Sequence, residues 1–172
     1  MKDDLPCGVS PLSDHMDVRF IADRNLGTLV KWLRILGYDT LYERGNADLD
    51  FLNKAAAEGR VALTRKRDLV CRSQSGRLVV VKADRAREQL AEVLTALAIT
   101  PNPMNRMTLC LRCNAPLEAI PKKIAEGLVP VYVYQTYEQF RRCSLCGRIY
   151  WPGTHCERVE EHLKTRIPSD PL

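Results

Sequence analysis

The features this sequence lacks narrow it first. No apolar run approaches the roughly 18 to 20 residues that span a bilayer, so no membrane span is expected. The acidic start, Met1-Lys-Asp-Asp, has neither the basic n-region nor the apolar h-region of an export signal, which makes the cytoplasm the expected site. Internal repeats and low-complexity tracts are also missing, and 172 residues with 45% hydrophobic content suffice for one ordinary core plus a small satellite module. Finally, the cysteines do not form an even set. There are seven, and without an export signal an odd count argues against a secreted disulfide scaffold.

Four of the seven cysteines form two knuckles, Cys110-Leu-Arg-Cys113 and Cys143-Ser-Leu-Cys146, separated by residues 114–142. Each Cys-x-x-Cys turn presents two thiolates to one ion, and two such turns complete a tetrahedral, closed, structural Zn²⁺ site. Cys7, Cys71 and Cys156 fall outside the pattern and read as free thiols. His155 and Cys156 follow the second knuckle closely enough to compete as ligands, but four cysteines already fill the shell.

The net charge of +5 is modest, and its distribution says more than its sum. Arg65, Lys66, Arg67 and Arg72 cluster in one stretch, while Arg141, Arg142 and Arg148 flank the second knuckle. Such patches can neutralise phosphates, although a solvated basic face is their commoner explanation.

Residues 1–17 hold Pro6, Gly8, Pro11 and several acids without periodicity and read as a flexible leader. From residue 18 strands and helices alternate. Apolar or β-branched runs predict strands over 18–22, 40–42, 61–64 and 78–81. Leu26, Leu29, Val30, Leu33 and Leu36 share one helical face, which Gly37 ends. Asp48 opens a second helix that Gly59 stops, and Asp84 is expected to cap a third. This order predicts an α/β domain over 18–99 with a parallel sheet covered by helices on both faces. Ligands of such sheets bind outside the carboxyl ends of the strands, which singles out Asp23, the segment 43–48 and the segment 64–68. A proline-stiffened linker, 100–106, leads to a zinc ribbon over 107–155, with strands expected at Val129–Tyr134 and Arg148–Trp151. The tail 156–172 carries a short helix expected over 157–164.

The stretch from Asp23 to Thr40, the stretch Glu58-Gly-Arg-Val-Ala-Leu-Thr-Arg65, the knuckles and Tyr150-Trp-Pro-Gly-Thr-His155 together resemble the Mut-seven C-terminal ribonuclease domain family. The resemblance covers roughly residues 18–165. It implies a PIN-like nuclease domain fused to a zinc ribbon and a ribonuclease that uses Mg²⁺ or Mn²⁺ held by carboxylates at the sheet's carboxyl edge. Asp23 matches the family's first acidic position, Asp48 a second and Asp68 the last. Arg65, Lys66, Arg67, Arg148 and His155 are the expected contacts to RNA, in single-stranded form.

In one place the sequence departs from the family. Where the family reads Thr-Arg-Asp-Arg after the third strand, this chain reads Thr64-Arg-Lys-Arg67, and an ammonium cannot ligate a divalent cation. Two readings follow. Either Asp23, Asp48 and Asp68 still hold one ion and Lys66 contacts the phosphate, or the Lys66 charge replaces the metal and the domain only binds RNA or acts as an adaptor.

Several residues also have plain structural explanations. Asp48 is well placed as a helix cap, Asp39 and Glu43 as surface salt-bridge partners, and Trp32 as core. Arg34 reads as an exposed or salt-bridged arginine. Tyr150 and Trp151 could stack on bases beside Arg148, or fill a seam between the two modules.

Overall fold

The computed structural model describes residues 18–72 and 76–153. The leader over 1–17, His155, Cys156 and the helix expected over 157–164 lie outside the described residues.

The first module is built on a four-stranded, all-parallel sheet. Its strands are β1 (Phe20–Ala22), β2 (Thr40–Tyr42), β3 (Val61–Thr64) and β4 (Leu78–Val80), in the order β2-β1-β3-β4. Because β1 and β3 are central, they are buried on both faces and read as unbroken apolar runs rather than as alternating ones. Phe20, Ala22, Val61 and Leu63 point to one face, where helices α1 (Gly27–Ile35) and α3 (Ala86–Ala96) pack together. Ile21 and Ala62 point to the other, against Phe51, Leu52 and Ala55 of α2 (Leu49–Ala57).

The chain leaves β1 through α1 to reach β2 on one side, then crosses through α2 to β3 on the other. This reversal places a topological switch point between the carboxyl ends of β1 and β3. Gly37 ends α1 at φ +89°, a conformation costly for any residue with a Cβ, and a side chain there would also run into the Asn105 carbonyl.

The second module has an antiparallel sheet of β5 (Leu117–Ile120), β6 (Phe140–Cys143) and β7 (Ile149–Tyr150). Between β5 and β6 lie two short helices, α4 (Lys122–Ala125) and α5 (Val131–Thr136), which bury Ala125 and Val133 against Phe140.

Helix α5 replaces the strand expected at Val129–Tyr134. Its residues favour strands, but Pro130 stands at the N-cap, where its missing N–H is not needed. Val129, Val133 and Tyr137 then recur every four residues on the face that meets the ribbon's small core. Burial at helical spacing overrides the intrinsic preference. Asp84 also departs from expectation: Arg85 occupies the N-cap of α3, and Asp84 instead pairs with Arg65 at 2.6 Å.

Candidate functional site

Asp23 follows β1 directly and stands at the switch point with 1% of its surface exposed. A carboxylate so buried needs donors, and three are supplied. Oδ1 accepts from the Asn25 amide at 2.8 Å, while Oδ2 accepts from the Thr64 hydroxyl at 2.6 Å and the Arg65 amide at 3.2 Å. Thr64, the last residue of β3 and wholly buried, accepts in turn from the Lys66 amide at 3.1 Å. The carboxyl ends of the two central strands are thus clasped through one acid and one hydroxyl.

The other expected acids stand apart from it. Asp48 caps α2, accepting from the Phe51 amide at 3.2 Å, and is exposed; Asp68 is exposed in the 3₁₀ turn Arg67–Arg72. Among the described residues, the three carboxylates do not gather into a group close enough to share one ion. Glu43, at the end of β2, pairs with Lys54 at 3.0 Å. Lys66 bridges the intervening edge, sending its ammonium to the Ala47 carbonyl at 2.8 Å, one residue before Asp48. Of the expected RNA contacts, Arg65 is held by Asp84 and Lys66 by Ala47, whereas Arg67 and Arg148 are exposed.

The two knuckles are built alike. The Asn114 amide donates to the Cys110 carbonyl and the Gly147 amide to the Cys143 carbonyl, both at 2.9 Å. Cys110 and Cys143 return hydrogen bonds to the Ala115 and Arg148 carbonyls, five residues on. The residue after each second cysteine is left-handed, Asn114 at φ 63° and Gly147 at φ 70°, as residues able to adopt that region can be.

These turns bring all four sulfurs within 4.8 Å of one another, the only such cluster of potential metal ligands among the described residues. Cys110 Sγ and Cys146 Sγ lie 3.7 Å apart. Four thiolates about 2.3 Å from a central Zn²⁺ define a tetrahedron with edges of about 3.8 Å, so the cluster fits a closed zinc site. Burial opposes ionisation of Cys110, but hydrogen bonds from Tyr150 and from the Cys113 and Arg112 amides outweigh it and bring the thiol down to about 6. Cys113 is pushed up to about 12, chiefly by its hydrogen bond with Cys146.

Arg34 was missed by sequence reasoning. It is neither exposed nor ion-paired: it lies on α1 with 5% of its surface exposed and spends its donors on backbone carbonyls. Nε and Nη2 donate to Thr40 O at 3.0 and 2.7 Å, and Nη1 to Leu111 O and Arg112 O at 2.8 and 3.1 Å. Burial lowers its pKa, partly offset by the nearby Cys110, Asp39 and Cys113. A buried guanidinium without a carboxylate partner suits a neighbour of net charge −2, which four thiolates around Zn²⁺ would supply.

Asn114 completes the weld between the modules. Its Oδ1 accepts from the Thr40 amide at 3.0 Å and its Nδ2 donates to Asp39, itself held by Arg60 through two bonds of 2.9 and 3.0 Å. The nature of these contacts is local, but their partners are more than 70 residues apart, and no spacing rule signals them. Trp151 is half-buried in the ribbon's own cluster and lines a cavity of about 420 Å³ together with Ile35, Met107 and Leu111.

No helix among the described residues is long and apolar enough to cross a membrane. A comparison with curated proteins and with solved structures returned no match. At the family level, residues 18–163 match the Mut7-C RNAse domain, a span that takes in the Asp23 clasp, both knuckles and the seam between them, and RNA is the substrate class this implies. On that match over most of its length, the chain belongs to the Mut7-C RNase domain family.

Proposed function

We propose that this chain is a divalent-metal-dependent ribonuclease whose reaction is organised around Asp23. The observation that carries the proposal is the burial of Asp23 at the switch point between β1 and β3, where open parallel sheets take their ligands. Asp23 Oδ1 accepts a single hydrogen bond and keeps lone-pair capacity for an inner-sphere cation. Mg²⁺ or Mn²⁺ held there would polarise the scissile phosphate and lower the pKa of an attacking water. Asp48 and Asp68, which stand apart from Asp23 in this structure, would have to move toward it to join the ion, and Lys66 would have to leave the Ala47 carbonyl to reach the phosphate. The zinc ribbon supports RNA binding, its closed thiolate site having no open position for chemistry.

A second reading has its own support. Lys66 follows β3 and sends its ammonium to the Ala47 carbonyl beside Asp48, so its charge would take the place of a metal ion, leaving an RNA-binding protein without hydrolysis.

Incubating zinc-loaded protein with end-labelled single-stranded RNA, with and without Mg²⁺ or Mn²⁺, separates the two. Metal-dependent cleavage supports the nuclease. Binding without cleavage, with activity appearing only in Lys66→Asp, supports the second reading.

A further inference from the structure

A broad groove of about 980 Å³ runs beside α1, from the carboxyl edge of the sheet to the knuckles. Beside the buried Arg34, five exposed cationic side chains line it: Arg24 next to Asp23, Lys31 on α1, Arg44 after β2, Arg112 inside the first knuckle and Arg148 after the second. All five are exposed, none forms an ion pair among the described residues, and no carboxylate is among the lining residues. Elsewhere the basic side chains Lys54, Arg60, Arg65 and Lys122 are matched by acids, whereas the groove gathers five unmatched cations along one surface.

Its remaining lining includes aromatic rings already held in place. Tyr42 donates to the Arg24 carbonyl at 2.9 Å, Tyr150 contacts Cys110 Sγ at 3.1 Å, and Trp32 is half-buried against the core. Rings fixed in this way stack on bases with little entropic cost, whereas a duplex keeps its bases inside.

We infer that this groove is the track for single-stranded RNA, carrying the backbone from the zinc knuckles along α1 to Asp23. The inference rests on the ribonuclease reading and extends it by naming the surface that delivers the substrate. Phosphates meet the five cations and bases meet the rings. The knuckles form one wall, which gives the structural zinc a part in binding: it fixes Arg112 and Arg148 across from Lys31.

The test is fluorescence anisotropy with a short fluorescein-labelled oligouridine and zinc-loaded full chain, without added Mg²⁺ or Mn²⁺ so that binding is read apart from cleavage. Lys31→Glu/Arg112→Glu should weaken binding about tenfold or more, and should flatten the dependence of log K on log salt by roughly 0.7 for each phosphate no longer neutralised. Arg87→Glu/Lys123→Glu makes the same charge change outside the groove and should bind nearly as wild type does. Should the groove variant melt early, Lys31→Gln/Arg112→Gln carries the comparison. Unchanged affinity in the groove variants, an equal loss in the control, or no binding by wild type overturns the inference. Equal affinity for duplex RNA overturns the single-stranded assignment. A chain that cleaves RNA while its groove variants bind normally refutes the groove alone and leaves the nuclease reading standing.

Discussion

The Thr64 hydroxyl donates to Asp23 Oδ2 at 2.6 Å, joining the carboxyl ends of the two strands between which the sheet reverses direction. Both residues are buried, so the bond is shielded from competing water. Thr64→Val keeps the shape and removes the donor. It should destabilise the protein by about 1 to 3 kcal/mol, the cost of leaving a buried acceptor short of a partner. Thr64→Ser should recover most of the loss, and chemical denaturation of the three proteins checks it.

Arg34 ties α1 to β2 and to the first knuckle, so its loss should be felt in both modules. Arg34→Met leaves the Thr40, Leu111 and Arg112 carbonyls without their donor and should cost about 2 to 4 kcal/mol. At roughly 2 to 4 °C per kcal/mol for a chain of this size, the melting temperature should drop by about 4 to 16 °C. Arg34→Lys should rescue little, because one ammonium cannot span carbonyls that a planar fork reaches together. A melting temperature within a degree of wild type would falsify the weld.

Asn114 has two tasks that substitutions can separate. Asn114→Gly keeps the left-handed turn and loses the bonds to Thr40 and Asp39, whereas Asn114→Ala loses both. Stability should therefore fall in the order wild type, Gly, Ala, with about 1 kcal/mol between the last two.

Acid should loosen the same joint. Burial works against the Asp39 carboxylate, but hydrogen bonds from Arg60 and Asn114 and the Arg60 charge outweigh it and hold its pKa below the ordinary 3.8. A depressed folded-state pKa gives stability that is complete above the ordinary value and is lost as pH falls through the depressed one. Wild type should lose stability progressively below about pH 4, and Asp39→Asn should lack that part of the slope. Thermal melts of both proteins across this range compare them.

Much of the fold could be read from the sequence because its signals are local. Central strands show as apolar runs, Gly37 and Gly59 stop helices, and the knuckles announce their own ligands. Asp23 was legible because a strand end coincides with an acid. Arg34 and Asn114 were not, since the contacts that join the modules, from Arg34 to the Leu111 and Arg112 carbonyls and from Asn114 to Thr40 and Asp39, link residues more than 70 apart in the chain. Apart from Arg148, expected from its place beside the second knuckle, the groove cations escaped notice for a related reason. The run at Arg65–Arg67 drew attention by adjacency in sequence, while Arg24, Lys31, Arg44, Arg112 and Arg148 become neighbours only after the ribbon docks. Helix α5 went unread because strand propensity at Val131–Tyr134 competes with a core that exists only in the folded ribbon.

The thiolate cluster fits one zinc ion, and native mass spectrometry should find one per chain. Cys143→Ser removes a buried ligand and should lower zinc content and melting temperature together. Metal removal should do the same reversibly, with recovery on zinc and not on Mg²⁺.

The account turns on Asp23, and the most direct test is the single-turnover rate of RNA cleavage by wild type and Asp23→Asn, both zinc-loaded and saturated with Mn²⁺. Replacing the anionic acid by its neutral isostere should slow cleavage by about a hundredfold or more while leaving zinc content and RNA affinity near wild type. Equal rates in the two proteins would contradict the assignment of the reaction to the β1–β3 switch point.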